Sequence, residues 1–198
     1  EYAYDTACLA HQAGLCNIFV TNGYMSQEML ELFHPYLDAA NLDLKAFREE
    51  TYRRYIGAKL QPVLDNLKLM KRLGIWLEVT TLVIPGLNDD PAELRDIARF
   101  IIQDLGADTP WHISRFYPGY KMTDRLPTPF ETLERTRDIG MSEGLHYVYL
   151  GNVLDEEITR CPKCGNSLIC RQGYLVTKNN VTNGKCPDCN APIAGVWH

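Results

Sequence analysis

The run Ile75-Trp76-Leu77-Glu78-Val79-Thr80-Thr81-Leu82-Val83-Ile84 constrains the fold more than any other stretch. It is too rich in β-branched residues and too continuously apolar for a surface hairpin, so it reads as a strand buried within a sheet. Pro85-Gly86 ends it, and Asp90 followed by Pro91 opens a helix whose apolar stripe is Leu94, Ile97, Ala98 and Ile101. A buried strand feeding directly into an amphipathic helix is half of a parallel crossover.

The same alternation recurs over the first 150 positions. Tyr4, Ala7, Cys8, His11 and Leu15 recur at helical spacing, with Gly14 at the stop. A short strand over 17–21 follows, closed by Asn22-Gly23, and Ser26 caps the next helix. A strand is expected over 39–44, helical segments over 51–55 and 62–73, a strand over 111–116, a helix from Thr128-Pro129 to about 143, and a last strand over 147–150. Five strands alternating with helices predict an α/β fold, namely part of a (β/α) barrel over residues 1–154, with an open doubly wound sheet as the alternative. A closed eight-stranded barrel typically takes ~250 residues, so the barrel is expected to be partial or truncated at its N-terminal side.

Within that frame Asn41-Leu42-Asp43-Leu44-Lys45 stands out. Side chains alternate along a strand, so Leu42 and Leu44 share one face while Asp43 and Lys45 share the other. The two charges fall at the strand's C-terminal end, where (β/α) barrels build their sites. The plain alternative is a local ion pair contributing ~0–1 kcal/mol.

Seven cysteines are present, and four of them form two Cys-x-x-Cys pairs, Cys161/Cys164 and Cys186/Cys189. Gly165 and Asn190, just after the second cysteine of each pair, suit the left-handed turn of a metal knuckle. The four thiolates predict a tetrahedral structural site in a small zinc-ribbon domain over 155–198, with zinc preferred to iron. About forty residues bury too little apolar surface to fold unaided, so the ion would supply most of that domain's stability. Cys8, Cys16 and Cys170 read as small packing residues.

There is no run of ~18 apolar residues and no leader-like start, which together with the cysteine usage predicts a cytoplasmic protein without a membrane span. A net charge of −5 gives no electrostatic reason to expect nucleic acid. Lys163, Arg171, Lys178 and Lys185 read as a solvated basic face.

Three segments together, Phe19-Val20-Thr21-Asn22-Gly23-Tyr24, Asn41 to Lys45, and Thr81-Leu82-Val83-Ile84-Pro85-Gly86-Leu87-Asn88-Asp89, resemble the later strands of radical SAM enzymes, above all the group related to pyruvate formate-lyase activating enzyme. Trp111-His112-Ile113-Ser114-Arg115-Phe116-Tyr117-Pro118, Tyr120-Lys121-Met122-Thr123-Asp124 and the cysteine tail narrow the resemblance to the radical SAM enzyme of the AmmeMemoRadiSam system. The resemblance implies reductive cleavage of S-adenosylmethionine at a [4Fe-4S] cluster to give a 5′-deoxyadenosyl radical. The family's Cys-x-x-x-Cys-x-x-Cys cluster signature is absent from these residues and is expected upstream. By resemblance, Thr21, Asn22, Asn41, Asp43 and Lys45 lie at the cofactor, with Tyr117 as a further contact; Thr80, which shares a strand face with Glu78, is expected to reach it from the rim. Val20 stands where the activating enzymes carry an acidic cation ligand, and Tyr117 where they carry a histidine. The implied partners are a reductant such as flavodoxin or ferredoxin and, functionally, Memo-like and AMMECR-like proteins, with a protein or small-molecule substrate. The alternative function is a non-catalytic module that uses the barrel as a platform and the ribbon as a docking surface.

Overall fold

The computed structural model describes residues 1–197, in which the alternation resolves as α1 (Tyr2–Gln12), β1 (Ile18–Thr21), α2 (Gln27–Phe33), β2 (Ala39–Asp43), α3 (Glu49–Thr51), α4 (Leu60–Arg72), β3 (Trp76–Val83), α5 (Pro91–Phe100), β4 (Trp111–Arg115), α6 (Phe130–Glu143) and β5 (Val148–Gly151). All four strand pairings are parallel, and the strands lie side by side in sequence order. A doubly wound sheet reverses its strand order and carries helices on both faces. Here the order never reverses, and α2, α4, α5 and α6 cover one face through Leu30, Leu67, Ile97 and Leu133. The open doubly wound alternative is therefore set aside.

Burial follows the pleat. In β3, Leu77, Val79, Thr81 and Val83 point into the helix-covered core, while Trp76, Glu78, Thr80 and Leu82 stay half-buried on the opposite face. The strand read as buried throughout is thus buried on one side only, because helices cover one side only. On β1, the first strand of the sheet, Ile18 and Val20 share that open side and are largely exposed, and Cys16 just before it is exposed rather than packed.

Buried polar side chains tie the C-terminal ends of the strands together. Asn88, 1% exposed, donates its amide to the carbonyls of Lys45 (2.7 Å) and Leu82 (2.9 Å) and accepts from Ile84 N at 2.7 Å. Thr81 donates to Leu44 O and accepts from Trp111 Nε1, joining β2, β3 and β4. Thr128 donates to Val83 O and accepts from Phe116 N. The helix expected over 51–55 is one α turn that widens into a π segment, Tyr52–Ile56, and stops at Gly57 in the left-handed region. Tyr52 is fully buried there, and burial pushes its phenol up to about 12, so it stays neutral and accepts from Lys45 N at 3.2 Å.

Past Asp155 the chain forms a separate antiparallel sheet, β6 (Glu156–Arg160), β7 (Ser167–Gln172) and β8 (Leu175–Asn179), with its own core of Leu168 and Ile193 beside Cys161 and Cys186. Of the three, only β8 is legible from sequence, in the strand-favouring run Tyr174-Leu175-Val176-Thr177. Lys178 and Arg171 are half-buried rather than solvated, since Lys178 Nζ donates to Ser167 O and Arg171 lies over the Tyr149 ring. Asn88→Ala would strand the Lys45 and Leu82 carbonyls, so it should lower unfolding stability by about 2–4 kcal/mol in urea denaturation.

Candidate functional site

The rim formed by the C-terminal ends of β2 and β3 brings together four of the seven expected cofactor residues. Lys45 Nζ lies 2.8 Å from Asp43 Oδ2, with side chains 39% and 35% exposed, so the pair is open to a ligand rather than sealed. One register step away, Thr80 Oγ1 donates to Asn41 Oδ1 at 2.6 Å. That leaves the Asn41 amide NH2 without a hydrogen bond among the described residues. Lys45 is held at both backbone ends, its N–H by Tyr52 and its C=O by Asn88. Neither anchor was legible as a site residue in the sequence.

The other three are placed differently. The pleat turns Thr21 to the helix-covered face with Leu42, where its hydroxyl accepts from Gly23 N at 3.1 Å. Asn22 is exposed beyond β1, its Oδ1 accepting from Tyr24 N, and it borders a small cavity with Lys45 and Tyr52. Tyr117 stands past β4 with its ring 5.1 Å from the Arg115 guanidinium and its hydroxyl donating to Asn152 O at 3.3 Å. Among the described residues Arg115 pairs with no acid. Its Nε donates to Thr128 O.

His112 bonds Glu78 Oε2 through Nε2 at 2.7 Å on the open face. Burial pushes the Glu78 carboxyl up, but His112 and the Trp76 indole N–H outweigh it and hold the carboxyl below its ordinary value. A depressed carboxylate stabilises the fold above its unfolded pKa of about 4.3, and that contribution is lost as pH falls through the lower folded value. Unfolding free energy measured from about pH 7 to pH 3 should therefore drop more steeply for the wild type than for Glu78→Gln.

The cysteine module holds a second candidate centre. The sulfurs of Cys161, Cys164, Cys186 and Cys189 lie within 4.8 Å of one another, with 3.6 Å between Cys161 and Cys189 and 3.7 Å between Cys164 and Cys186. A tetrahedral ion with metal–sulfur bonds of about 2.3 Å puts its ligands about 3.8 Å apart, so the four sulfurs fit a metal. Two equivalent knuckles present them. Gly165 N donates to Cys161 O and Asn190 N to Cys186 O, and Gly165 and Asn190 both adopt positive φ, 74° and 58°. Burial raises the Cys161 thiol, but amide donors from Cys164 and Lys163 and the Cys189 thiol bring it down to about 7. The Asn166 amide favours the Cys164 thiolate, yet burial and the crowding sulfurs push that thiol up to about 12. Four thiolates this close ionise together only around a cation. Cys161→Ser or a strong chelator should abolish metal binding, expose 155–198 to proteolysis and leave the five-stranded sheet folded. A protease-resistant tail after metal loss would contradict this.

The chain is 43% identical over 197 residues to an uncharacterized protein of Methanocaldococcus jannaschii, matching 98% of this chain and 58% of that protein. It is 30% identical over 97 residues to the isethionate sulfite-lyase activating enzyme of Nitratidesulfovibrio vulgaris, matching 46% of this chain and 31% of the enzyme. The chain thus spans less than two thirds of the length of the curated relatives it matches. In fold it resembles a domain of the pyruvate-formate lyase-activating enzyme from Bacteroides vulgatus, with a TM-score of 0.65 and 16% identity over 76% of this chain and 90% of that one. Residues 2–101 match the model of the radical SAM superfamily, and the chain belongs to that superfamily.

Proposed function

We propose that this chain is the S-adenosylmethionine-binding and C-terminal part of an activating-enzyme-like radical SAM enzyme, built on part of a (β/α) barrel and finished by a zinc ribbon. The observation that carries this reading is the rim at β2 and β3, where a half-exposed carboxylate–ammonium pair adjoins a free amide donor in a chain of that superfamily. S-adenosylmethionine, when bound, supplies a hydrogen-abstracting radical. Its amino acid end is a zwitterion, and Asp43 and Lys45 offer each of its charges an opposite partner once water is excluded. Asn41 adds a donor for the carboxylate, Thr80 fixes which way that amide faces, and Tyr52 with Asn88 stops Lys45 from moving.

The cysteines do not fit the cluster. None of the seven stands in the Cys-x-x-x-Cys-x-x-Cys spacing, and the four that gather close a tetrahedron with no open position. The [4Fe-4S] ligands in this proposal lie outside these 198 residues, and no step is assigned to them here. A flavodoxin- or ferredoxin-like reductant and association with Memo-like and AMMECR-like proteins belong to the same proposal on sequence resemblance, and a cytoplasmic location on cysteine usage. None of the described helices is long and apolar enough to cross a membrane.

In the full-length, iron-loaded protein, Asp43→Asn and Lys45→Ala should each weaken S-adenosylmethionine binding about 10–100-fold, with a parallel fall in 5′-deoxyadenosine formed under reductant. Unchanged cofactor affinity in both variants would remove the rim from the site.

A further inference from the structure

Glu78 and His112 lie on the same open face as the rim but are not used by it. Glu78 is two residues before Thr80, about 6.8 Å further down the strand, so it sits below the candidate cofactor residues. A cavity of about 420 Å³ opens there, between the lower half of the sheet's open face and the cysteine module. Trp76, Glu78, His112 and Tyr149 line it from the sheet, Arg171 from β7, and Trp197 from the C-terminal tail. Its size is that of a small-molecule site.

The polar groups around it are largely spoken for, and their balance is informative. Arg171 donates to Thr159 Oγ1 at 3.3 Å, lies 5.2 Å from the Tyr149 ring centroid and has Glu157 3.8 Å from its Nε. Its positive charge is therefore already matched. Asp38, a further lining residue, accepts from Asn17 N through one oxygen. With Arg171 matched by Glu157, the lining leaves the carboxylates of Asp38 and Glu78 against the His112 imidazole alone, so it stays negative whichever form His112 takes. Aromatic rings beside uncompensated carboxylate charge are the chemistry that recognises an organic cation. An anionic ligand would meet repulsion in a site half withdrawn from water. Arg171 Nε is buried without a hydrogen bond among the described residues, facing Glu157 rather than the cavity.

We propose that this cavity binds an organic amine, as its ammonium ion, on a flat or largely apolar body, and that such an amine is the substrate held beneath the cofactor. The binding claim stands on the cavity alone, whereas the substrate claim rests on the radical SAM function proposed above.

The test uses full-length protein with its cysteine module metal-loaded, without reductant. Calorimetric titration compares tyramine with 3-(4-hydroxyphenyl)propionate, which keeps the phenol and replaces ammonium by carboxylate. Tyramine should bind saturably with a Kd below about 1 mM, and the propionate at least about tenfold more weakly. Glu78→Gln should weaken tyramine about tenfold. If that variant does not fold, the two ligands on the wild type decide alone. No saturable tyramine binding, or propionate binding as tight, overturns the site, even where the loaded enzyme makes 5′-deoxyadenosine. Tyramine binding without 5′-deoxyadenosine from the loaded enzyme keeps the site and overturns the substrate role.

Discussion

One-residue alternation along β2 and β3, with helices covering a single face, is the constraint on which everything else rests. It sends Leu42, Leu44, Leu77 and Val79 into the core and leaves Asn41, Asp43, Glu78 and Thr80 on a half-open surface. Slipping β2 by one residue would exchange these sets, burying a carboxylate and exposing two leucines. Burial of those leucines, at roughly 1.5–3 kcal/mol each, therefore sets the register that also aims the polar side chains. Site geometry is here a by-product of core packing.

The second layer of control is a set of buried hydrogen-bonding side chains that act on backbone rather than on ligands. Asn88, Thr81 and Thr128 lock the strand ends together, and Tyr52 and Asn88 pin both amide groups of Lys45. A buried group that satisfies two or three backbone partners is costly to remove, because each partner is then left unpaired. The rim is consequently rigid where it meets the core, while its charged tips remain half-exposed. The cysteine module reaches the same end differently, since it has a small core and four converging sulfurs. Its contact with the sheet, through Thr159 and Arg171 against Tyr149, makes the lower half of the open face dependent on that module being folded.

Much of the first sheet was legible because strong local signals agreed. Ser26 and Asp90 cap their helices as expected, and Gly14 takes the positive φ that ends a helix. The cysteine knuckles were legible for the same reason, each Cys-x-x-Cys being followed by Gly165 or Asn190. β6 and β7 were missed because their burial comes from long-range partners, and a short stretch such as Glu156–Arg160 carries only one aliphatic residue. The π segment after α3 was missed as well, as helical periodicity alone does not distinguish a widened turn.

Composition, spacing and alternation by themselves determined the α/β class, the charged strand end at Asp43 and Lys45, and the four cysteines whose sulfurs converge. All of these are local, because neighbouring residues in a strand or a knuckle take fixed relative directions. The tertiary structure alone decided that the strand order never reverses, that Thr21 faces the helices while Thr80 meets Asn41, and that Glu78 pairs with His112. Each of these depends on which strands become neighbours and in what register, and that is set by the packing of the whole core rather than by any one segment.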